Sequence, residues 1–187
     1  MLELLRHIDT SLFLYLNGKH NEPLDWLMYW VTYKYTWIPL YIFLFYIVWK
    51  KFEKKTWLVL AAVVVLITFS DQISVHCFKN VVQRYRPCYN WLIKDKVHLV
   101  DGCGGTYGFI SSHAANTFAL AMFLSLLMRV RNFTFYIFLW AMLVSYSRIY
   151  TGVHYPLDIT GGAMVGMAVG IVVAKIYYYL EGKIIKT

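Results

Sequence analysis

The sequence predicts an all-helical, polytopic membrane bundle of about five full transmembrane helices, preceded by an interfacial N-terminal helix. Three observations predict it. Of 187 residues, 59% are hydrophobic and 19% aromatic against 15% charged, far more apolar surface than one soluble domain buries. The basic residues collect at the ends of apolar runs rather than within them. Finally, the junction from Ser147 to Asp158 sets an arginine, a histidine and an aspartate between two apolar runs, where ionisable groups mark a functional site. A net charge of +8 would also suit nucleic acid, but its placement and the lack of a nucleic-acid module favour an anionic lipid surface or substrate. The chain reads as a single domain, with an interfacial segment over 1–35 and a helical bundle over 36–187.

Taken in order, Leu2 to Leu16 mixes apolar residues with Glu3, Arg6, His7 and Asp9. That is too polar for a span and lacks the layout of a cleavable signal, so it reads as an amphipathic helix lying in the interface. Asn17 to Pro23 is a turn, and Leu24 to Tyr33 is an aromatic entry piece flanked by Asp25 and Lys34. The first crossing covers about Thr36 to Trp49, short for a bilayer unless the helix begins earlier or the membrane thins. Lys50, Lys51, Lys54 and Lys55 put the next turn in the cytoplasm by the positive-inside rule. The second crossing, Trp57 to Val75, then exits outward and delivers Lys79 and Arg86. Asp71, eight residues before Lys79, shares its face, either as a structural carboxylate or as a partner of the basic site.

Cys88 to Ile110 forms an external loop whose Gly102, Gly104 and Gly105 serve turns. Cys88 and Cys103 lie on the same, oxidising side, and both a disulfide and unpaired thiols remain open; the cysteines lack zinc-ligand spacing, so no metal site is expected. The third crossing, Ser112 to Met128, takes Ser111 as its N-cap. Arg129 and Arg131 mark a cytoplasmic turn, where the Asn132-Phe133-Thr134 sequon carries no meaning. The fourth, Phe133 to Tyr146, returns outward and presents Ser147 and Arg148. The fifth, Pro156 to Tyr179, carries Gly162, Gly166 and Gly170 at four-residue steps, a stripe that lets another helix approach closely. Lys183 and Lys186 end the chain inside, and His7, His20, His76 and His98 read as incidental.

The chemistry open to the Ser147–Asp158 junction is narrow. A neutral imidazole can attack phosphorus, and a nearby carboxylate fixes its tautomer and stabilises the cation that forms. Arg148 would hold the anion. Pro156 suits the first turn of a helix, which puts His154 just before it and Asp158 one turn inside, with the helix N-terminus aimed at the phosphate. Alone, the same residues would also suit a polar helix cap at a membrane interface.

They do not stand alone. Lys79, Arg86 and Pro87 fit K-x6-R-P; Ser147, Arg148, His154 and Asp158 fit S-R-x5-H-x3-D; and Ser111 and His113 fit P-S-G-H, with Ile110 in place of Pro and Ser112 in place of Gly. Together these resemble the type 2 phosphatidic acid phosphatase (PAP2) superfamily over the last two thirds of the chain. The resemblance implies a PAP2/haloperoxidase-like helical core and a metal-independent membrane lipid phosphatase without a cofactor, working through a phosphohistidine. It makes His154 the nucleophile, Asp158 its orienting carboxylate and His113 the proton donor to the leaving oxygen. Lys79, Arg86 and Arg148, with Ser111, Ser112 and Ser147, would hold the phosphoryl oxygens. Phosphatidic acid, phosphatidylglycerol phosphate, undecaprenyl pyrophosphate and a lipid A phosphate are all open as substrates; the Ser-Ser-His variant resembles that of some lipid A phosphatases. The site is expected to face the periplasm or exterior of the cell membrane. A catalytically silent scaffold or a transporter of a phosphorylated lipid is the alternative. It would need polar groups along a through-path, whereas the motifs cluster on one side.

Overall fold

A computed structural model describes residues 2–184, and every regular element among them is helical. The chain opens with α1 (Leu2–Asn17), as the sequence predicts. It continues with α2 (Glu22–Thr32), which begins inside the predicted turn because the Asn21 side chain accepts a hydrogen bond from Leu24 N at 2.9 Å and Pro23 fits the first turn. Helix α3 (Ile38–Phe52) ends at Glu53, where φ turns to 45°. Helix α4 (Thr56–Gln72) then packs against it, and residues of both helices line one cavity.

Helix α4 does not stop near Val75. It continues as a π-helix over Ile73–Lys79 and one further turn, α5 (Asn80–Val82). A π-winding is a common device at functional sites, and this one ends at Lys79, whose Nζ donates to Ser112 Oγ at 2.6 Å. Helix α6 (Ser112–Met128) has the predicted bounds, and α7 (Arg131–Tyr150) is followed by α8 (Pro156–Ile184). Helix α7 runs four residues past its predicted end, so Ser147 and Arg148 lie in its last turn. Nothing in Ser147-Arg148-Ile149-Tyr150 breaks a helix, and the stop comes only with Gly152, at φ +82°.

Helix α6 is the central post. Ala114, Ala119, Phe123 and Leu124 are buried against Leu66 of α4, Val144 of α7, and Ala174 and Tyr177 of α8. Its closest neighbour is α8, through the predicted glycine stripe. A Cβ at Gly162 would lie 2.6 Å from Ser111 O, and one at Gly170 2.8 Å from Ala119 O. The outer faces stay apolar: Phe43 and Phe45 on α3, Val64 and Phe69 on α4, Leu139 and Met142 on α7, and Met164 and Ile176 on α8 are all exposed.

Among the described residues, two helical stretches are long and apolar enough to cross a membrane, Lys34–Val82 and Pro156–Lys183; Ser112–Met128 is apolar but shorter. The lysine turn, the end of α6 and the end of α8 meet at one pole. Lys51 Nζ donates to Met128 O at 2.6 Å, Lys55 pairs with Glu181 at 3.1 Å, and Arg129 stacks on Tyr178. The basic residues that suggest topology therefore also hold this pole together, Lys51 as a cap on α6. Lys186 lies outside the described residues.

Candidate active site

At the opposite pole the end of α4, the loop from Gln83 to Ile110, the start of α6 and the α7–α8 turn converge. The turn is built by the chain's own hydrogen bonds. Thr151 N donates to Ser147 O at 2.9 Å and His154 N to Arg148 O at 3.1 Å, folding the turn onto the end of α7. Glycine is required at 152, because a Cβ there would meet His98 O at 2.6 Å as well as needing the left-handed backbone. His154 emerges buried, immediately ahead of α8.

Asp158, the third residue of α8, holds His154. Its Oδ2 accepts from Tyr155 N at 3.0 Å, the acidic half of a capping box, and lies 3.3 Å from His154 Nδ1. The opposite ring nitrogen, Nε2, is thereby the one available to an electrophile. Gly108 closes over this pair; a Cβ there would lie 3.0 Å from Asp158 Oδ2 and 3.5 Å from His154 Nδ1. One expectation fails here. Tyr155 N is taken by Asp158, and Leu157 N donates to Asp9 at 2.9 Å, so these N–H groups of the α8 terminus serve carboxylates and do not face a phosphate.

At α6, Ser111 caps as predicted, its Oγ accepting from Ala114 N at 3.4 Å. Its own N–H donates to Asp158 O at 3.0 Å, which locks the starts of α6 and α8 together and sets His113 relative to His154. Ser112 Oγ lies 2.6 Å from Ser74 Oγ and accepts from Lys79 Nζ at 2.6 Å, so it fixes the lysine. Ser147 is different. It is fully buried and its Oγ donates to Val144 O at 2.7 Å, the back-bonding usual for a serine within a helix, which turns it away from the phosphate-holding role expected of it.

Lys79, Arg86 and Arg148 all act electrostatically on both His154 and His113. Arg148 is held by Thr32 of α2, its NH1 donating to Thr32 Oγ1. The Nε atoms of Arg86 and Arg148 are buried without a hydrogen-bond partner among the described residues. A guanidinium N–H left unsatisfied in a buried place suits an anion. Burial first, then Arg86, Arg148 and Lys79, hold the His154 imidazole well below its ordinary range and therefore neutral. From this site an apolar cavity of about 540 Å³ runs between α3, α4, α6 and α7. Its lining includes Ser112, His113 and Asp71 together with Val48, Leu124 and Trp140.

Sequence reasoning missed two members of the site. Arg84 NH1 donates to Asp158 Oδ1 at 3.0 Å and NH2 to Asp9 Oδ2 at 2.6 Å, while its guanidinium lies 3.9 Å from the centre of the Tyr155 ring. Asp9 is buried in α1; desolvation raises its carboxyl above the usual range, opposed by Arg84 and by Leu157 N–H. The signals were present. Arg84 stands two residues before Arg86, and Asp9, Phe13 and Asn17 recur at four-residue steps along the one buried face of α1.

His20 and His98 are not incidental either. Their rings stack at 3.6 Å and 2°, His98 Nε2 lies 2.9 Å from Asp25 Oδ1, and Asn17 binds both N and O of His98. A metal ion lies in the plane of each imidazole that binds it, and two parallel planes share no such point. This cluster therefore acts as a clasp that ties α1 and α2 to the loop over the site. Cys88 and Cys103 are bonded to each other in that loop, and Cys77 is free.

The family model for the PAP2 superfamily matches residues 57–181. The chain is 43% identical over 169 residues to a lipid A 4'-phosphatase of Bacteroides thetaiotaomicron, covering 89% of this chain and 75% of that one. It is 39% identical over 184 residues to a lipid A 4'-phosphatase of Porphyromonas gingivalis, covering 97% and 78%. The transmembrane PAP2-type phosphatidylglycerolphosphate phosphatase of Bacillus subtilis superposes with a TM-score of 0.70 at 18% identity, over 92% of this chain and 86% of that one, a likeness of fold.

Proposed function

The chain belongs to the PAP2 superfamily and is a membrane phosphatase, and we propose from that premise that it hydrolyses a lipid A phosphate monoester through a phosphohistidine at the outer membrane face. One observation carries the chemistry. A buried, neutral imidazole backed by Asp158 lies within electrostatic reach of Lys79, Arg86 and Arg148, the two arginines each carrying a buried Nε–H without a partner among the described residues, and the neighbouring Ser112 and His113 line an apolar cavity fit for acyl chains. The substrate class rests on the two lipid A phosphatase relatives and on the Ser-Ser-His motif.

In this reading His154 Nε2 attacks phosphorus and the bond from phosphorus to the lipid oxygen breaks, with that oxygen taking a proton from His113. Water then attacks phosphorus, giving its proton to His113, while the phosphorus–nitrogen bond breaks to release inorganic phosphate and the neutral His154 imidazole. Lys79, Arg86 and Arg148 offset the charge on the transferred group throughout, which matters most in a reaction whose transition state is reached mainly by positioning and charge stabilisation. About five crossings carry the bundle, and the site faces the periplasm. Phosphate release from purified protein tests it over a panel of lipid A phosphate, phosphatidic acid, phosphatidylglycerol phosphate and undecaprenyl pyrophosphate. Lipid A phosphate should turn over fastest and His154→Ala should release none. Preference for a diphosphate would overturn the substrate assignment.

A further inference from the structure

We infer that Asp9 and Arg84 form a positioning relay for the His154–Asp158 pair, which makes the N-terminal helix α1 part of the catalytic apparatus. The inference rests on the reading of His154 as nucleophile. The chain of contacts is continuous and largely shielded from water. Leu157 N and Arg84 NH2 bind the two oxygens of Asp9 at 2.9 and 2.6 Å; Arg84 NH1 binds Asp158 Oδ1 at 3.0 Å; and Asp158 Oδ2 faces Tyr155 N and His154 Nδ1. Arg84 is clamped from the side by the Tyr155 ring, which Phe13 of α1 packs against at 5.3 Å and Asn90 holds through its hydroxyl at 2.9 Å. Asp158 thus has a donor on each oxygen besides the imidazole and cannot rotate away from His154.

Charge explains why a second carboxylate is present. An arginine bound only to Asp158 would draw its negative charge away from the imidazole just as His154 turns cationic during attack. Asp9 shares that guanidinium, so the three groups together present one net negative charge to His154. The outer face of α1, with Leu4, Leu5, Ile8 and Leu12 exposed, leaves the buried face free to carry Asp9, Phe13 and Asn17 to the site. The membrane-seated helix thereby sets the register of the nucleophile.

Steady-state kinetics on Asp9→Asn, Arg84→Gln, Arg84→Lys and the Asp9→Asn/Arg84→Gln double variant test this, with thermal unfolding of each. Loss of a partner that orients a reacting group costs on the order of 10- to 100-fold. Asp9→Asn should lower kcat about tenfold with KM nearly unchanged, and Arg84→Gln about 100-fold. Arg84→Gln should also shift the acid limb of kcat to higher pH, because two facing buried carboxylates without the cation share a proton. Arg84→Lys, a point charge that cannot fork between two carboxylates, should restore only part of the loss. The double variant should be no worse than Arg84→Gln, since members of one network are non-additive. Additive losses, or losses that follow the folded fraction with an unmoved pH profile, would overturn the relay. His154→Ala in the same assay separates the premise: if it still turns over, nucleophile and relay fall together, whereas a dead His154→Ala beside a wild-type-like Asp9→Asn sinks the relay alone.

Discussion

At the scale of single residues the two histidines are set apart by their partners. His154 has a carboxylate behind it and three cations around it, and its neutrality is enforced by burial. Because its proton affinity is lowered in the fold, the sign of the linkage is definite. The contribution to stability is complete above pH 6.5, the ordinary imidazole value, and is lost as pH falls below it toward the depressed folded value. Selective 15N-histidine NMR in detergent micelles at pH 6.5 should show the His154 ring neutral, and a half-protonated ring would contradict the burial argument. His113 lines the apolar cavity proposed to take the lipid, within reach of the leaving oxygen of a lipid held there. A lipid alkoxide needs a proton to depart and a nitrophenolate does not. His113→Ala should therefore lose much more activity on a lipid phosphate than on nitrophenyl phosphate, provided phosphoryl transfer limits both. Equal losses with unchanged binding would leave His113 a purely electrostatic role.

Among the elements, the contact of α6 with α8 decides the site because both helices begin at it. The glycine stripe makes this testable by opposing two effects of the same substitution. Glycine to alanine in a helix interior favours the fold by up to about 1 kcal/mol through propensity, whereas overpacking a tight contact costs about 1–3 kcal/mol. At Gly166 a Cβ would meet the backbone of Ala115, which cannot rotate aside, so overpacking wins. At Gly182 of the same helix a Cβ meets nothing among the described residues. Gly166→Ala should lower the thermal midpoint and the activity together, and Gly182→Ala should do neither; a neutral Gly166→Ala would mean that the helices can separate freely. The stripe was legible in the sequence, as were the Ser111 cap and both ends of α6, since each depends on residues adjacent in the chain. The π-winding before Lys79 and the extension of α7 to Tyr150 were not. Nothing in Ile73–Lys79 announces a π-winding, and the charged junction hid the plain helix-forming run that carries α7 as far as the Gly152 stop. Lys79, Arg86, His113, His154 and Asp158 stand out through motifs that resemble a family's, whereas Arg84 and Asp9 carry weak signals, a neighbouring arginine and a four-residue repeat, and their pairing belongs to the fold, where Asp9 reaches Leu157 across 148 residues.

For the whole molecule, the separation of poles is the organising fact. Lys50, Lys51, Lys54 and Lys55 gather with the ends of α6 and α8, while the motif residues and the disulfide-bonded loop gather at the other end. Cationic turns are retained on the cytoplasmic side of a membrane, so the site should lie outside, where a lipid phosphate of the outer leaflet can reach it and the Cys88–Cys103 bond is stable. Labelling of single cysteines in sealed cells decides the matter. In a Cys77→Ser background, Asp95→Cys in the loop beside His98 should react with a membrane-impermeant maleimide, and Lys54→Cys should react only after the cells are opened. The native Cys88 and Cys103 contribute no signal while they are joined. A reversed pattern would put the phosphatase site in the cytoplasm. The lysines would then serve structure alone, as Lys51 capping α6 through Met128 O and Lys55 paired with the Glu181 carboxylate already do, and the substrate would have to be a lipid phosphate of the inner leaflet.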